Sequence, residues 1–276
     1  MQKIYILISF LFSIIIVNGQ NQKKDTTVIN YIDINKQKQG KWTKPYESGN
    51  TAYIATFKND KLVGLYQRFY PSGKLMLEIM YDNDGNESGP VTLYYDNGEI
   101  SAKGFYINRK VRDSTWYLYN TDRYLTAMIN YKNGKRNGKE IFYWKSGQKC
   151  LEKDWINGKE DGVWREYFEN GTDRLKARMI NGKRNGLFAV YYPNGRYFLK
   201  GYYKDNYREK HWTYYERDGK IKKELDYVHG HAKNEDEIDR QRTKEIMEWE
   251  KAKGEIPEPN IENMLYYEKK YRPLSK

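Results

Sequence analysis

The feature that most restricts what this chain can fold into is a tandem repeat. Eight ten-residue segments keep phase: GKWTKPYESG from Gly40, GLYQRFYPSG from Gly64, GPVTLYYDNG from Gly89, STWYLYNTDR from Ser114, GKEIFYWKSG from Gly138, GVWREYFENG from Gly162, GLFAVYYPNG from Gly186 and KHWTYYERDG from Lys210. Their starts lie 24 or 25 residues apart. A period of this length means an array of small modules, each unable to bury a face alone.

With each start residue counted as position zero, position five is aromatic in every copy but the first, where Pro45 stands, and position nine is Gly in every copy but the fourth, which has Arg123. Ser-Gly, Asn-Gly and Asp-Gly pairs at positions eight and nine accept positive φ and signal hairpin turns. Pro71 and Pro193 sit two residues before the turn glycine, as in a three-residue loop built on a type I turn. Strand A therefore covers about positions one to six and strand B about ten to eighteen. A second loop follows, written Asn133-Gly-Lys-Arg-Asn-Gly138 and again Asn181-Gly-Lys-Arg-Asn-Gly186. Every glycine reads as a turn residue.

This pattern predicts an all-β fold: an elongated single-layer antiparallel β-hairpin repeat sheet of about eight repeats, with a short C-terminal helix and tail. Sixteen strands at ~4.8 Å each make a ribbon on the order of 75 Å long. The expected register puts position five on the face of positions thirteen, fifteen and seventeen. It puts position two (Trp42, Tyr66, Trp116, Trp164, Phe188, Trp212) and position six, including Trp144, on the second face. Composition agrees with a thin sheet, since the chain has 28 Tyr and only 38% hydrophobic residues.

Residues 1–19 read as a signal peptide, with Lys3 before an apolar run from Ile4 to Val17 that is short for a membrane span. Residues 20–39 read as an N-terminal cap strand and linker, the strand lying at 26–35, and residues 40–232 as the repeat domain. Residues 233–276 read as a charged helix over 234–253, with Ile238, Ile246 and Trp249 on a weak apolar face, then an extended tail after Pro257 and Pro259. Export and periplasmic, outer-surface or secreted localisation follow from the leader. Cys150 is the only cysteine, so no intrachain disulfide is possible.

The Asn-Gly-Lys-Arg-Asn-Gly loop, followed by Gly-x-Trp and Tyr-x-x-x-Gly, resembles the MORN repeat in its bacterial variant form over about residues 40–230. The resemblance implies elongated single-layer hairpin sheets. Bacterial proteins of this repeat type are often labelled antitoxin-like (the YwqK type).

The sequence offers binding surfaces rather than a catalytic constellation. The position-two aromatics and Trp144 are either packing residues or a surface for a protein partner. Lys135, Arg136, Lys183 and Arg184 are either solvated loop residues or a row for an anionic lipid or polysaccharide. Export disfavours nucleic acid. His229-x-His231 lacks a third ligand, Cys150 lacks a base and the carboxylates form no unique pair, so no metal, cofactor or enzymatic activity is expected. The oligomeric state is left open. The expected function is a non-catalytic exported scaffold for protein or cell-envelope interactions. The alternatives are an immunity-like antitoxin and a binder of anionic lipid or polysaccharide.

Overall fold

A computed structural model of the chain describes residues 28–233 and, beyond them, 237, 240, 243, 244 and 246–248. Twenty strands form one open antiparallel sheet in which chain neighbours pair, except that Lys61–Leu62 and Gly64–Phe69 both pair with the strand before them, as do Lys183–Arg184 and Gly186–Tyr191. Four of them, Tyr31–Ile32, Lys61–Leu62, Lys183–Arg184 and His231–Ala232, have two residues each, which leaves the sixteen long strands expected. The seven helical residues described are all exposed, including Ile246 of the expected weak apolar face. The leader, most of the charged helix and the tail lie outside the described residues.

The first turn is the expected three-residue loop in all eight copies. Tyr70 N–H donates to the Lys74 carbonyl and Gly73 N–H to the Tyr70 carbonyl, and the pattern recurs through Gly219. Position nine takes φ between 82 and 94 where it is Gly, and Arg123 adopts φ 68 in the copy without it. The start position is also left-handed in seven copies, including Ser114 at φ 58 and Lys210 at φ 60. The two irregular-looking copies therefore keep the geometry of the others.

The register corrects the expected faces. In every copy the pairing shifts by one residue near the hairpin tip. Within one hairpin Gly64, Tyr66 and Arg68 oppose Tyr81, Ile79 and Leu77, and then Phe69 opposes Leu75. The same shift separates Leu93 from Tyr94 and Val190 from Tyr191. One extra residue on strand B reverses the parity of everything before it on strand A. Position two therefore shares a face with positions thirteen, fifteen and seventeen, and position five moves to the opposite face. Tyr94 and Tyr167 of position five reach Glu78 and Glu152 of position fourteen there.

The second loop is also shorter than expected. Outside the second copy, where residues 82–88 form a longer loop, it is a two-residue turn, with φ 50 and 79 at Asn133 and Gly134, the hairpin type that suits the strand twist. Lys135 and Arg136 already belong to the strand Lys135–Tyr143, and Lys183–Arg184 is a short strand of its own.

Both ends of the sheet are guarded. Tyr31–Ile32 pairs with Gln39 and Lys38, where Asn30 Oδ1 also accepts from Thr43 N–H. The last long strand, Ile221–Val228, is charged along its length, with Lys222, Lys223, Glu224 and Asp226. Charged edge strands discourage pairing with other chains.

Candidate functional site

The packed face is built by size matching between repeats. Position fifteen of one copy lies beside position two of the next. Ile79 pairs with Val91, Ile129 with Glu140 and Lys153 with Trp164. Gly104 and Gly201 occupy position fifteen below Trp116 and Trp212, and a Cβ at either glycine would collide with the indole ring. These two glycines sit within strands, not turns, which corrects the turn reading for both. Trp116 and Trp212 are fully buried.

Cations close this face from its edge. Arg112 lies over Trp116 at 4.6 Å, Arg136 over Trp155 at 4.7 Å, Arg184 over Tyr203 at 4.6 Å and Arg208 over Trp212 at 4.7 Å. Lys38 does the same over Trp42 at 4.7 Å. Arg136 and Arg184, expected in solvated loops, are therefore cation–π lids on the aromatic rows. Lys135 and Lys183 point to solvent one residue away.

Six of the seven singled-out aromatics thus come together on the packed face, and Trp144 lies apart at a hairpin tip with 38% exposure. One apolar cluster runs from Trp42 to Tyr131 and a second from Phe188 to Ala232. Between them the face turns ionic. Glu140 occupies position two, almost fully buried, and accepts from Trp155 Nε1 at 2.9 Å beside Arg136. Its Oε1 has no hydrogen-bond partner, although Arg136 stands 3.2 Å away at a poor angle. Burial pushes the Glu140 carboxyl up, against the pull of Arg136 and the Trp155 hydrogen bond. Lys153 pairs with Glu160 at 2.5 Å and stands over Trp164 at 5.0 Å.

The outward face carries positions one, three, five, fourteen and sixteen. In the middle copies it is a closed ion network, in which Glu152 accepts from Lys139 at 2.8 Å and Lys149 at 3.0 Å. Burial alone would raise the Glu152 carboxyl, but the two ammonium groups outweigh it and hold it at about 2. Elsewhere this face exposes Leu65, Met80, Val163 and Leu187, the last at 77%. Around Leu187 it forms a shallow trough of about 530 Å³ lined by Lys176, Arg178, Lys200, Tyr191, Tyr197 and Tyr202. Burial and the neighbouring Tyr197 push the Tyr191 hydroxyl up to about 12, so it stays a neutral donor.

The trough was missed because the expected register placed positions one and sixteen without regard to the extra residue. Exposed Leu at position one of two copies (Leu65 and Leu187) was the available signal. The remaining candidates are unremarkable in place. His229 lies in a turn, 3.0 Å from Glu209. Burial pushes the Cys150 thiol up, away from the reactive thiolate.

Four stretches, residues 62–83, 87–108, 160–172 and 208–229, match the family model of the MORN repeat variant. Each begins two residues before a repeat start, at Leu62, Glu87, Glu160 and Arg208, so the matches share the frame of the structural unit. No curated protein matches the chain.

Proposed function

We propose that this chain is a non-catalytic repeat scaffold that binds a protein partner across several repeats through its outward face. Repeats of the matched kind are generally non-catalytic. The observation that carries the reading is two exposed apolar patches on that face, Leu65 beside Met80 in one hairpin and Val163 with Leu187 at position one of adjacent copies. Apolar side chains repeated in register on one surface are a common mark of an interaction site. A partner is best sought in the cell envelope, in keeping with the apolar leader at 4–17.

The test is capture from a native envelope extract with the full chain and with the pair Met80→Asp and Leu187→Asp. Both side chains already face water, so the variant keeps its melting temperature. Loss of the captured partner supports the outward face. Equal capture by the variant removes it.

A second reading has its own observation. Lys61, Lys110, Lys135, Lys159 and Lys183 occupy one repeat position along one long edge, and all are exposed. Adjacent copies are two strands apart, so the ammonium groups from Lys110 to Lys183 recur every ~10 Å, with Lys61 one copy further off because Gly85 stands between. Such a row suits an anionic surface. Binding to vesicles of anionic lipid that weakens steeply with salt supports it, and salt-independent or absent binding rejects it.

A further inference from the structure

The trough around Leu187 has an unusual chemistry for this face. No carboxylate lines it, and of its three cations only Lys176 has an ion-pair partner among the described residues, Asp173 at 2.7 Å. Lys200 shares a hydrogen bond with Tyr215, which holds its ammonium in the charged form. The floor is aromatic, with Tyr191 and Tyr197 stacked at 5.0 Å between centroids and Lys210 over Tyr202 at 4.3 Å. A ligand for this surface carries several negative charges and several apolar side chains.

The chain itself contains such a segment. Residues 255–268 (EIPEPNIENMLYYE) hold four Glu, no Lys or Arg, and Ile256, Ile261, Met264, Leu265, Tyr266 and Tyr267. Residues 234–268 as a whole have eleven carboxylates against five cations, a net of −6, in a protein of net charge +12. The charge of residues 234–268 is thus opposite to that of the body they follow, and the acidic stretch ends at Glu268, before Lys269, Lys270, Arg272 and Lys276.

Reach permits the contact. The trough strand Gly186–Tyr191 lies three strand steps from Ile221–Val228, roughly 14 Å at ~4.8 Å per step. The stretch 234–254 that joins the sheet to this segment spans roughly 30 Å even when wholly helical, at ~1.5 Å per residue. A tethered ligand of this length meets its site at an effective concentration in the millimolar range, so a weak contact suffices.

We propose that residues 255–268 of the chain dock in the trough around Leu187, with their Glu side chains toward Lys176, Arg178 and Lys200 and their apolar residues over Leu187 and the tyrosines. The docked tail covers part of the outward face, so a protein partner that uses this region must displace it. This consequence rests on the partner reading, whereas the docking does not. It is tested on the isolated chain, so either can fail without the other.

The experiment is zero-length carbodiimide cross-linking of the full chain, read by mass spectrometry on an equal mixture of ordinary and ¹⁵N-labelled protein. The Lys176–Asp173 pair provides the internal control. Links from Lys176 and Lys200 to Glu255, Glu258, Glu262 or Glu268 are expected within single chains, about fivefold or more above those from the edge residues Lys135 and Lys159. Reversing the tail charge with Glu258→Lys and Glu262→Lys, which leaves the sheet untouched, removes the excess at Glu255 and Glu268. Links spread evenly over the lysines overturn the proposal. So do links predominantly between labelled and unlabelled chains, which would make the occupant a second copy, and so does an excess that survives the charge reversal.

Discussion

Trp212 is fully buried in a single-layer sheet because Gly201 opens a space beneath it. The same pairing joins Trp116 to Gly104. Where position fifteen is Ala177, the next copy carries the smaller Phe188 at position two. Gly201→Ala therefore overpacks the site and is expected to lower stability by about 1–3 kcal/mol. Adding Trp212→Phe to it restores part of that loss, and denaturant titration of the two single variants and the double variant measures the coupling. The left-handed start position gives a second test. Ser114 and Lys210 hold φ near 60 where most copies have Gly. Ser114→Gly and Lys210→Gly are each expected to raise stability by about 0.5–1 kcal/mol, seen as a higher denaturation midpoint.

Elements were legible in the sequence to different depths. The hairpin tips were legible because Pro71, Gly73 and their counterparts demand one loop geometry. The number of long strands followed from the period. The faces were not legible, because the extra residue near position twelve has no compositional mark and reverses parity. That one residue moved Trp42, Tyr66, Trp164 and Phe188 from the expected second face to the packed face shared with positions thirteen, fifteen and seventeen. It also hid Leu187 and Met80, the residues now assigned to the site. Arg136 and Arg184 looked like loop cations because the two-residue turn before them is shorter than the written motif. Within the central hairpins, Glu152 sets a pH dependence. Its folded value of about 2 lies below the ordinary 4.5, so its stabilisation is full above about pH 5 and is lost as pH falls toward 2. The contribution is at most on the order of 3 kcal/mol, reduced because Lys139 and Lys149 are about half exposed. Glu152→Gln is expected to cost about 1–2 kcal/mol at pH 7 and clearly less at pH 3.5 in urea titrations.

The whole molecule is a ribbon whose two apolar clusters are separated by an ionic centre at Glu140, Lys153 and Glu160. Each repeat touches only its neighbours, so stability is a local property along the chain. Native-state hydrogen exchange is expected to find the strands from Lys135 to Ile180 opening at lower free energy than the strands of either cluster. Uniform protection along the ribbon would contradict that. The residue added to each hairpin sends position two inward and position one outward. Hydroxyl-radical footprinting of the full chain tests it directly. Trp116 and Trp212 should oxidise far more slowly than Trp144, while Leu65 and Met80, which lie on the outward face away from the trough, are readily modified. Trp116 and Trp212 reacting as fast as Trp144, with Leu65 and Met80 protected, would contradict this arrangement.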